Sequence, residues 1–380
     1  MTALLQYLRQ RKLFMAFKYF RFLLYLAQTA ARQRVVTPRK LVNLALARLY
    51  SIPGVARRIG YRAQKYPAVL ILDVTNRCNL RCVFCRDFPN SFLDRKQVMA
   101  AQGVGDPHYT QRLGAMDLAL VQKVVAELRH HVLVCVLYVS GEPLMHPRIV
   151  DIVRCLTENR ILSIISTNGH YLTPQLSEGL IRAGLTSLHV SVSGVNQGTH
   201  EVYHRGGDIE RVKRNLEDFV AVRRAVHGRT WVDLRYIVTR HNEHEIPLAH
   251  RWGESAQLNS VTARSGTFFT VESARAFLSE RYNTSSLKVV QDRLVCGKNL
   301  TTCDWPWGVS IVRFDGELSP CCDAVYSSRP MELGNLKDHT FAELWHGEAY
   351  TALRHDLVTI GRRHMDFCRN CFYGGFNFQS

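Results

Sequence analysis

Apolar residues recur along the middle of the chain in short runs, separated by longer segments of helical periodicity. The runs predict strands at residues 68–74, 132–140, 161–166, 187–193, 231–238 and, with a weaker pattern, 260–266. The intervening segments 116–128 and 207–226 repeat apolar residues at helical spacing. This alternation predicts about six βα units around a parallel sheet, too few for a closed eight-stranded barrel. We therefore expect an α/β fold, a partial (βα)6 barrel, with ligand sites at the carboxyl ends of its strands.

The two ends of the chain follow other patterns. Residues 1–65 place apolar and aromatic residues at helical spacing with Lys and Arg between them, which predicts a helical extension. From about residue 290 the pattern breaks into short strands and turns. Residues 309–322 predict a hairpin that turns at Asp315 and Gly316, and residues 340–357 predict a helix. The expected domains are a helical extension (1–65), the barrel (66–288) and a small α+β domain (289–380).

The net charge of +17 is concentrated at the amino end of the chain. Residues 1–72 contain fourteen Lys or Arg and no acidic residue, whereas the rest of the chain has 35 basic and 32 acidic side chains. A basic, aromatic-rich amphipathic helix is typical of the membrane interface, so we expect an anionic membrane surface as a partner of residues 1–65. The alternatives are an arm packed on the body and a transit peptide, although the first serine is Ser51. Nucleic acid is not an expected partner, because basic and aromatic composition alone does not indicate it.

The eleven cysteines are clustered rather than spread along the chain. No apolar run approaches the roughly 18–20 residues of a membrane span, and no secretory signal pattern is present. Neighbouring cysteines suit metal binding better than a disulfide framework, which favours a reducing cytoplasm. The expected location is therefore the cytoplasm, with peripheral membrane contact through residues 1–65. Cys135 and Cys155 stand alone in apolar segments and are expected to be small buried hydrophobes.

Three cysteines, Cys78, Cys82 and Cys85, lie within eight positions directly after the first predicted strand. Three thiolates can bind three irons of a cubane [4Fe–4S] cluster and leave the fourth iron open for a substrate or cofactor. The alternative is a zinc site that lacks its fourth ligand. Zinc sites usually pair CxxC units, which the CxxxCxxC spacing does not match.

The CxxxCxxC motif, with the aromatic residue Phe84 before the third cysteine, resembles the radical S-adenosylmethionine (SAM) superfamily. The resemblance implies that SAM chelates the fourth iron and that an electron from the cluster cleaves it to methionine and a 5′-deoxyadenosyl radical. This radical abstracts hydrogen from an unactivated carbon, and the protein orients the cofactor. The resemblance also implies a reducing electron donor such as flavodoxin or ferredoxin.

Later motifs extend the resemblance along the barrel. Residues 139–147 are similar to the family's Gly-Gly-Glu-Pro stretch, with Ser140 in place of the first glycine, and residues 166–173 and 189–207 match the stretches after the next two strands. The resemblance implies SAM contacts from Phe84, Gly141, Glu142, Thr167, Asn168, Ser191 and Arg205.

The resemblance also implies individual roles for these residues. Gly141 would let the backbone approach the methionine moiety, Glu142 would accept its ammonium group, and Arg205 would pair with its carboxylate. Ser193 stands where related enzymes often have Asp. The alternative for Phe84 is ordinary core packing, and strand-end Ser and Asn residues also serve as helix caps and turn formers.

The second group of cysteines resembles the Twitch and SPASM extensions of radical SAM enzymes. Cys303 is followed by Gly316, Cys321 and the CxxC pair Cys368 and Cys371, after which nine residues remain. We expect a Twitch-like domain with one auxiliary [4Fe–4S] cluster on these four cysteines. Cys296 or Cys322 could replace one ligand, and structural zinc on the same thiolates is the alternative.

These features predict a radical SAM enzyme that acts on a carbohydrate-like or lipid-linked small molecule. A fully ligated auxiliary cluster can accept an electron, which gives oxidation, whereas a hydrogen-donating cysteine, Cys296 or Cys322, would give epimerisation. One alternative is a maturase of a ribosomal peptide, although residues 1–65 lack the strand pattern of a leader-binding domain. Another is a non-catalytic iron–sulfur or zinc protein. No catalytic residue is assigned; His170, His200 and His204 lie near strand ends as candidate general bases.

Overall fold

The computed structural model describes most of the chain. The described ranges are residues 20–85, 113–266, 268, 271–285, 287–296, 303–325, 331, 333–365, 368 and 371. The first nineteen residues of the predicted amphipathic extension therefore lie outside the described residues, as does the side chain of Cys296.

Eight of the ten described strands form one open sheet. In chain order the strands are β1 (Val69–Leu72), β2 (Val134–Val136), β3 (Leu162–Thr167), β4 (Ser187–Val192), β5 (Trp231–Val238), β6 (Ser260–Ser265), β7 (Leu287–Val290), β8 (Arg293–Cys296), β9 (Val309–Val312) and β10 (Leu318–Ser319). The spatial order is β10-β9-β1-β2-β3-β4-β5-β6, and all neighbours are parallel except β10 and β9. The sheet thus contains the six parallel strands of a partial barrel, which confirms the predicted fold class.

Helices connect and cover these strands. They are α1 (Pro38–Tyr50), α2 (Pro53–Arg58), α3 (Leu118–Leu128), α4 (Ile149–Glu158), α5 (Pro174–Arg182), α6 (Gln197–Tyr203), α7 (Ile209–Ala225), α8 (Ile246–Ser255), α9 (Val271–Phe277), α10 (Trp305–Gly308), α11 (Cys322–Val325), α12 (Phe341–Trp345) and α13 (Glu348–Thr359). Residues 20–32, before α1, are also helical. Short 3-10 turns occupy Pro143–Met145, Glu243–Glu245 and Arg362–His364.

The predicted hairpin at residues 309–322 is present, and it also extends the barrel sheet. Strands β9 and β10 pair antiparallel around Gly316, whose φ of +93° favours glycine. Strand β9 also pairs with β1 in parallel, with Val69 opposite Val309. The carboxyl-terminal region therefore contributes strands to the barrel, an arrangement that the sequence analysis did not predict.

Two predicted elements are shorter than expected. Strand β2 covers only three of the residues in 132–140. Ser140, four residues beyond its end, hydrogen-bonds Asp73 through its backbone N–H and its hydroxyl. The single helix predicted at 340–357 is two helices, because the backbone at Gly347 is extended and begins α13.

The two faces of the sheet belong to different apolar clusters. Residues such as Leu70, Leu188 and Leu234 pack beneath the outer helices. The alternate residues of β1, β2, β3 and β9 pack instead with Leu26 and Ala30 of the helical segment 20–32. This second cluster identifies the inner face of the barrel and shows that the segment 20–32 packs against it.

Polar and aromatic contacts fix the segment 20–32 at the amino ends of the strands. The Tyr25 hydroxyl donates to the carbonyls of Thr186 (2.7 Å) and Arg229 (2.8 Å), which lie one residue before β4 and two residues before β5. The rings of Phe22 and Tyr25 lie 5.4 and 5.1 Å from that of Trp231. For residues 20–32 the structure thus shows the packed-arm alternative.

Helix α1 buries polar residues and exposes apolar ones. The buried Lys40 donates from Nζ to the Arg160 carbonyl (2.6 Å), and the buried Asn43 donates to the Tyr66 carbonyl (2.9 Å). Burial lowers the pKa of Lys40 to about 8. The side chains of Leu41 and Val42 are 49% and 57% exposed. None of the described helices combines the length and apolar character needed to cross a bilayer.

Replacing Leu26 should show that the segment 20–32 is part of the barrel core. Leu26→Ala removes a buried side chain, so we expect a loss of about 2–5 kcal/mol in the free energy of unfolding. Leu24→Ala, on the exposed side of the same helix, should change it by less than about 0.5 kcal/mol. Urea unfolding followed by circular dichroism measures both, and equal losses would contradict the packing described.

Candidate active site

The cysteine loop, residues 76–85, follows β1 and contains no helix or strand. Its second half is fixed to the chain after α6, because Arg81 N donates to the Arg205 carbonyl (3.0 Å) and Val83 N donates to the Tyr203 carbonyl (3.1 Å). Backbone hydrogen bonds of this kind give an irregular loop a defined course.

The first half of the loop is held by the ends of β2 and β3. Glu142 N donates to the Arg77 carbonyl (2.8 Å), and Asn168 Nδ2 donates to Asn79 Oδ1 (2.9 Å). On the other side, Asn76 Oδ1 accepts from Gly114 N (2.8 Å). The loop is therefore fastened from several directions at the carboxyl edge of the sheet.

Three cysteines of the loop lie near enough for their charges to interact, and their role as cluster ligands stays a prediction. Cys78, Cys82 and Cys85 are all partly buried. Burial, and then the negative charges of Cys85 and Cys78, raise the pKa of the Cys82 thiol well above its usual range. Such thiols release their protons when metal binds, because the metal charge compensates the thiolates. The donor set thus fits an iron–sulfur cluster.

Gly141 permits the close approach of the cysteine loop. A Cβ atom at this position would lie 2.4 Å from the Thr75 carbonyl oxygen and 2.5 Å from that of Arg77. Both are backbone atoms that cannot rotate away. Among the described residues, the close neighbour of Gly141 is thus the backbone at the start of the cysteine loop. That the backbone at Gly141 also approaches the methionine moiety of SAM stays a prediction.

Glu142 joins the ends of β2 and β3. Its buried carboxylate accepts from the Thr167 hydroxyl (2.6 Å), Asn168 N (2.8 Å) and Leu144 N (3.0 Å). Burial raises its pKa to about 7. The predicted neighbours Glu142, Thr167 and Asn168 are therefore in one network, and an ammonium group would add a favourable charge partner to it.

The other predicted SAM contacts lie around the same edge. Phe84 is buried against the rings of Tyr203 (4.4 Å) and Phe268 (4.7 Å), which is the core packing considered as its alternative. Ser191 is half-buried, with its hydroxyl 3.5 Å from that of Ser166. Arg205 is exposed, and its carbonyl holds the cysteine loop. Contact of these side chains with SAM stays a prediction.

The auxiliary cysteines are all partly buried. Cys303 precedes α10 and Cys321 follows β10, while Cys371 N donates to the Cys368 carbonyl (3.0 Å) in the turn of the CxxC pair. Cys321 Sγ accepts from Ala324 N (3.4 Å). Among the described residues, no three His, Cys or acidic side chains are arranged around a single metal ion. A cluster needs no such arrangement, because its thiolates bind different irons.

Besides Ser191, the inner face of the barrel contains polar residues that were not predicted from the sequence as site residues. Strand register places His189, Asp233 and Ser260 side by side, and Ser191, Arg235 and Thr262 one step nearer the carboxyl ends. The signal was present in the alternation of polar and apolar residues within β4, β5 and β6. This alternation does not identify site residues until the structure shows which face of the sheet lines the barrel interior.

Asp73 is a further site residue that was missed. It is buried at the end of β1, and Ser140 donates to it from its backbone N–H (3.0 Å) and its hydroxyl. Burial raises the pKa of Asp73 to about 6. The serine that replaces the family's first glycine therefore has a specific partner.

This arrangement of a partial barrel, a fastened three-cysteine loop and a strand-edge carboxylate network defines a class of enzymes that bind an iron–sulfur cluster and SAM. A family model of the radical SAM superfamily matches residues 72–252, and one of the SPASM iron–sulfur cluster-binding domain matches residues 303–372. The chain belongs to the radical SAM superfamily and has a carboxyl-terminal SPASM domain. Its cofactors are accordingly a [4Fe–4S] cluster, SAM and an auxiliary iron–sulfur cluster, which favours iron over zinc. The predicted domain boundaries stay predictions.

Two curated proteins illustrate the similarity. The cofactor-modifying protein of the tungsten-containing aldehyde ferredoxin oxidoreductase from Pyrococcus furiosus is 24% identical over 318 residues, which are 75% of this chain and 82% of that protein. The AdoMet-dependent heme synthase of Methanosarcina barkeri is 29% identical over 153 residues, 40% of this chain and 38% of that protein. The second match thus spans well under half of the relative.

Solved structures show the same fold. SuiB of Streptococcus suis bound to S-adenosylmethionine superposes with a TM-score of 0.58 at 13% identity, over 79% of this chain and 70% of that one. SuiB has also been solved with its precursor peptide SuiA. At this identity the likeness concerns the fold.

Gly141→Ala should selectively disturb the cysteine loop. The added methyl group would push against the carbonyls of Thr75 and Arg77, so we expect the loss of about four of eight irons, those of the SAM-binding cluster. Gly54→Ala is the control, because a Cβ there meets nothing within 4 Å. Iron and sulfide are measured after anaerobic reconstitution. Full iron content in Gly141→Ala would show that the loop tolerates the displacement.

Proposed function

We propose that this chain is a radical SAM oxidoreductase or epimerase whose substrate is a carbohydrate-like or lipid-linked small molecule. The observation that supports this most directly is the polar inner face beside the cysteine loop. Its hydroxyl, carboxylate, imidazole and guanidinium groups come from neighbouring strands in register. Groups of these kinds suit a ligand rich in oxygen atoms better than an apolar one.

The cofactors and the residues contribute different parts of such a reaction. When bound, the clusters and SAM supply a 5′-deoxyadenosyl radical that removes one hydrogen atom, and an acceptor for the electron that remains. Cys78, Cys82 and Cys85 would hold the first cluster, and Cys303, Cys321, Cys368 and Cys371 the auxiliary one. For oxidation, the buried carboxylate of Asp73 is placed at the strand edge to accept the proton that the substrate releases. For epimerisation, Cys322 or Cys296 would donate the hydrogen atom, and the resulting thiyl radical would take up one electron from a flavodoxin- or ferredoxin-like donor and one proton.

A peptide maturase is the second candidate. It is favoured by the similarity of fold to SuiB, which has been solved with a precursor peptide. Against it, the described residues before β1 are helices and turns without a strand, and residues 20–32 are occupied inside the barrel. A leader-binding domain built partly of strands is therefore not found among them.

Contact with an anionic membrane is proposed for the amino-terminal region. Eight of the thirteen large apolar side chains that are exposed in the described residues lie between Phe20 and Ile52. The same region is basic throughout and has no acidic residue. An exposed apolar surface surrounded by positive charge suits the interface of a bilayer that contains anionic lipids.

Turnover assays test the reaction class. We expect the anaerobically reconstituted enzyme, given dithionite and SAM, to form 5′-deoxyadenosine faster with a sugar, aminocyclitol or glycolipid substrate than without one. Cys303→Ala should retain SAM cleavage but lose net oxidation if the auxiliary cluster accepts the electron. Mass spectrometry reports whether the product has lost two hydrogens. The triple variant Cys78→Ala, Cys82→Ala, Cys85→Ala is the inactive control, and stimulation by peptides alone would favour the maturase.

Vesicle binding tests the membrane contact. Leu41→Asp combined with Val42→Asp places charge on the exposed face of α1 and should weaken binding to phosphatidylglycerol vesicles about tenfold or more. Leu248→Asp changes an equally exposed leucine on α8 and should leave binding unchanged. Added salt should weaken the wild-type interaction. Equal sedimentation of wild type and the double variant with these vesicles would refute the contact.

A further inference from the structure

The inner face of β4, β5 and β6 holds a guanidinium group that is buried with few partners. The side chain of Arg235 is 12% exposed, and its Nε forms no hydrogen bond within the described part of the chain. Nη1 reaches across the barrel to the Tyr138 hydroxyl at 3.5 Å, the limit of a hydrogen bond. Burying a cation with so little compensation is costly, which indicates that a partner with negative charge completes the site.

Asp233 positions this guanidinium without saturating it. Its Oδ2 lies 3.5 Å from Arg235 Nε, while its Oδ1 accepts from the hydroxyls of Ser260 (2.5 Å) and Thr262 (2.9 Å). The carboxylate is thus held by β6 on one side and orients Arg235 on the other. Of the other donors of the guanidinium, Nη1 lies 3.5 Å from the Tyr138 hydroxyl in the neighbouring segment after β2.

His189 is a second buried polar group on this inner face, one step nearer the amino ends than Arg235, with its ring 6.2 Å from that of Phe22. Its side chain is 3% exposed, and its Nδ1 has no hydrogen-bond partner among the described residues. Burial, and then the charges of Arg235 and Arg264, hold the pKa of His189 well below its usual range, so the ring is neutral. A neutral imidazole can donate one hydrogen bond without adding charge.

We propose that Arg235 and His189 bind an anionic oxygen group, a phosphate or a carboxylate, of the molecule on which this enzyme acts. The inference rests on the proposed function, because it names the chemistry of that substrate. A guanidinium matches the paired oxygens of both anions, and Tyr138 adds a hydroxyl beside it. With a neutral sugar the guanidinium would keep the 3.5 Å ion pair with Asp233 and gain no second anionic partner.

Binding of simple anions to the SAM-loaded holoenzyme tests this directly. Inorganic phosphate and acetate serve as probes, measured by isothermal titration against wild type, Arg235→Gln and Arg235→Lys. We expect Arg235→Gln to bind the preferred anion about tenfold or more weakly, since it loses a charged hydrogen bond. The anion affinity of Arg235→Lys should lie between those of wild type and Arg235→Gln, because lysine keeps the positive charge but lacks the paired N–H donors of a guanidinium. The probe that binds more tightly identifies phosphate or carboxylate.

Arg229→Gln is the matched control, since Arg229 is exposed at the amino end of the same strand and should bind the anions as wild type does. Unchanged anion affinity in both Arg235 variants would overturn the proposal. So would a loss of SAM affinity in Arg235→Gln, because Arg235 would then bind the carboxylate of SAM. The titration needs no turnover, so a failure to form 5′-deoxyadenosine in the same preparation would refute the proposed function and not the anion site.

Discussion

The site depends on hydrogen bonds that fasten an irregular loop to the ends of several strands. The cysteine loop has no helix or strand of its own, so its backbone groups need partners elsewhere. Tyr203 and Arg205 supply carbonyls, and Glu142 supplies an N–H group, each from the carboxyl edge of the same parallel sheet. Because the register of the sheet fixes these partners relative to one another, it also fixes the thiols relative to the inner face on which a substrate would lie.

The inner face changes character along the strands. At the amino ends, Val69 and Leu162 belong to one apolar cluster with Leu26, so the interior there is apolar. Toward the carboxyl ends, His189 and Arg235 take the equivalent inward positions. The polar side chains of these inward positions are therefore available to a polar molecule in the layers nearer the cysteine loop. The packing of an amino-terminal helix thus restricts where chemistry can take place, although the helix carries none of it.

The sequence allowed the parallel strands, most of the helices and the turn at Gly316 to be predicted, because each follows from local periodicity or turn chemistry. It did not reveal the pairing of β9 with β1, since no local pattern encodes a partner more than two hundred residues away. Glu142 could be identified by its motif. Arg235 and His189 could not, because a polar residue in a strand becomes informative only when the inner face is known.

The positions of the proposed membrane contact and of the cysteine loop bear on the proposed substrate. Helix α1 contacts the chain before β1 and β3 through Asn43 and Lys40, so its exposed apolar side belongs to the amino end of the barrel. The cysteine loop lies at the carboxyl end. The six residues of β3 alone separate these ends by roughly 20 Å. A membrane that binds α1 would thus face away from the reacting centre. A water-soluble carbohydrate-like anion meets this constraint directly, whereas a lipid-linked one must carry its head group on a stem of comparable length.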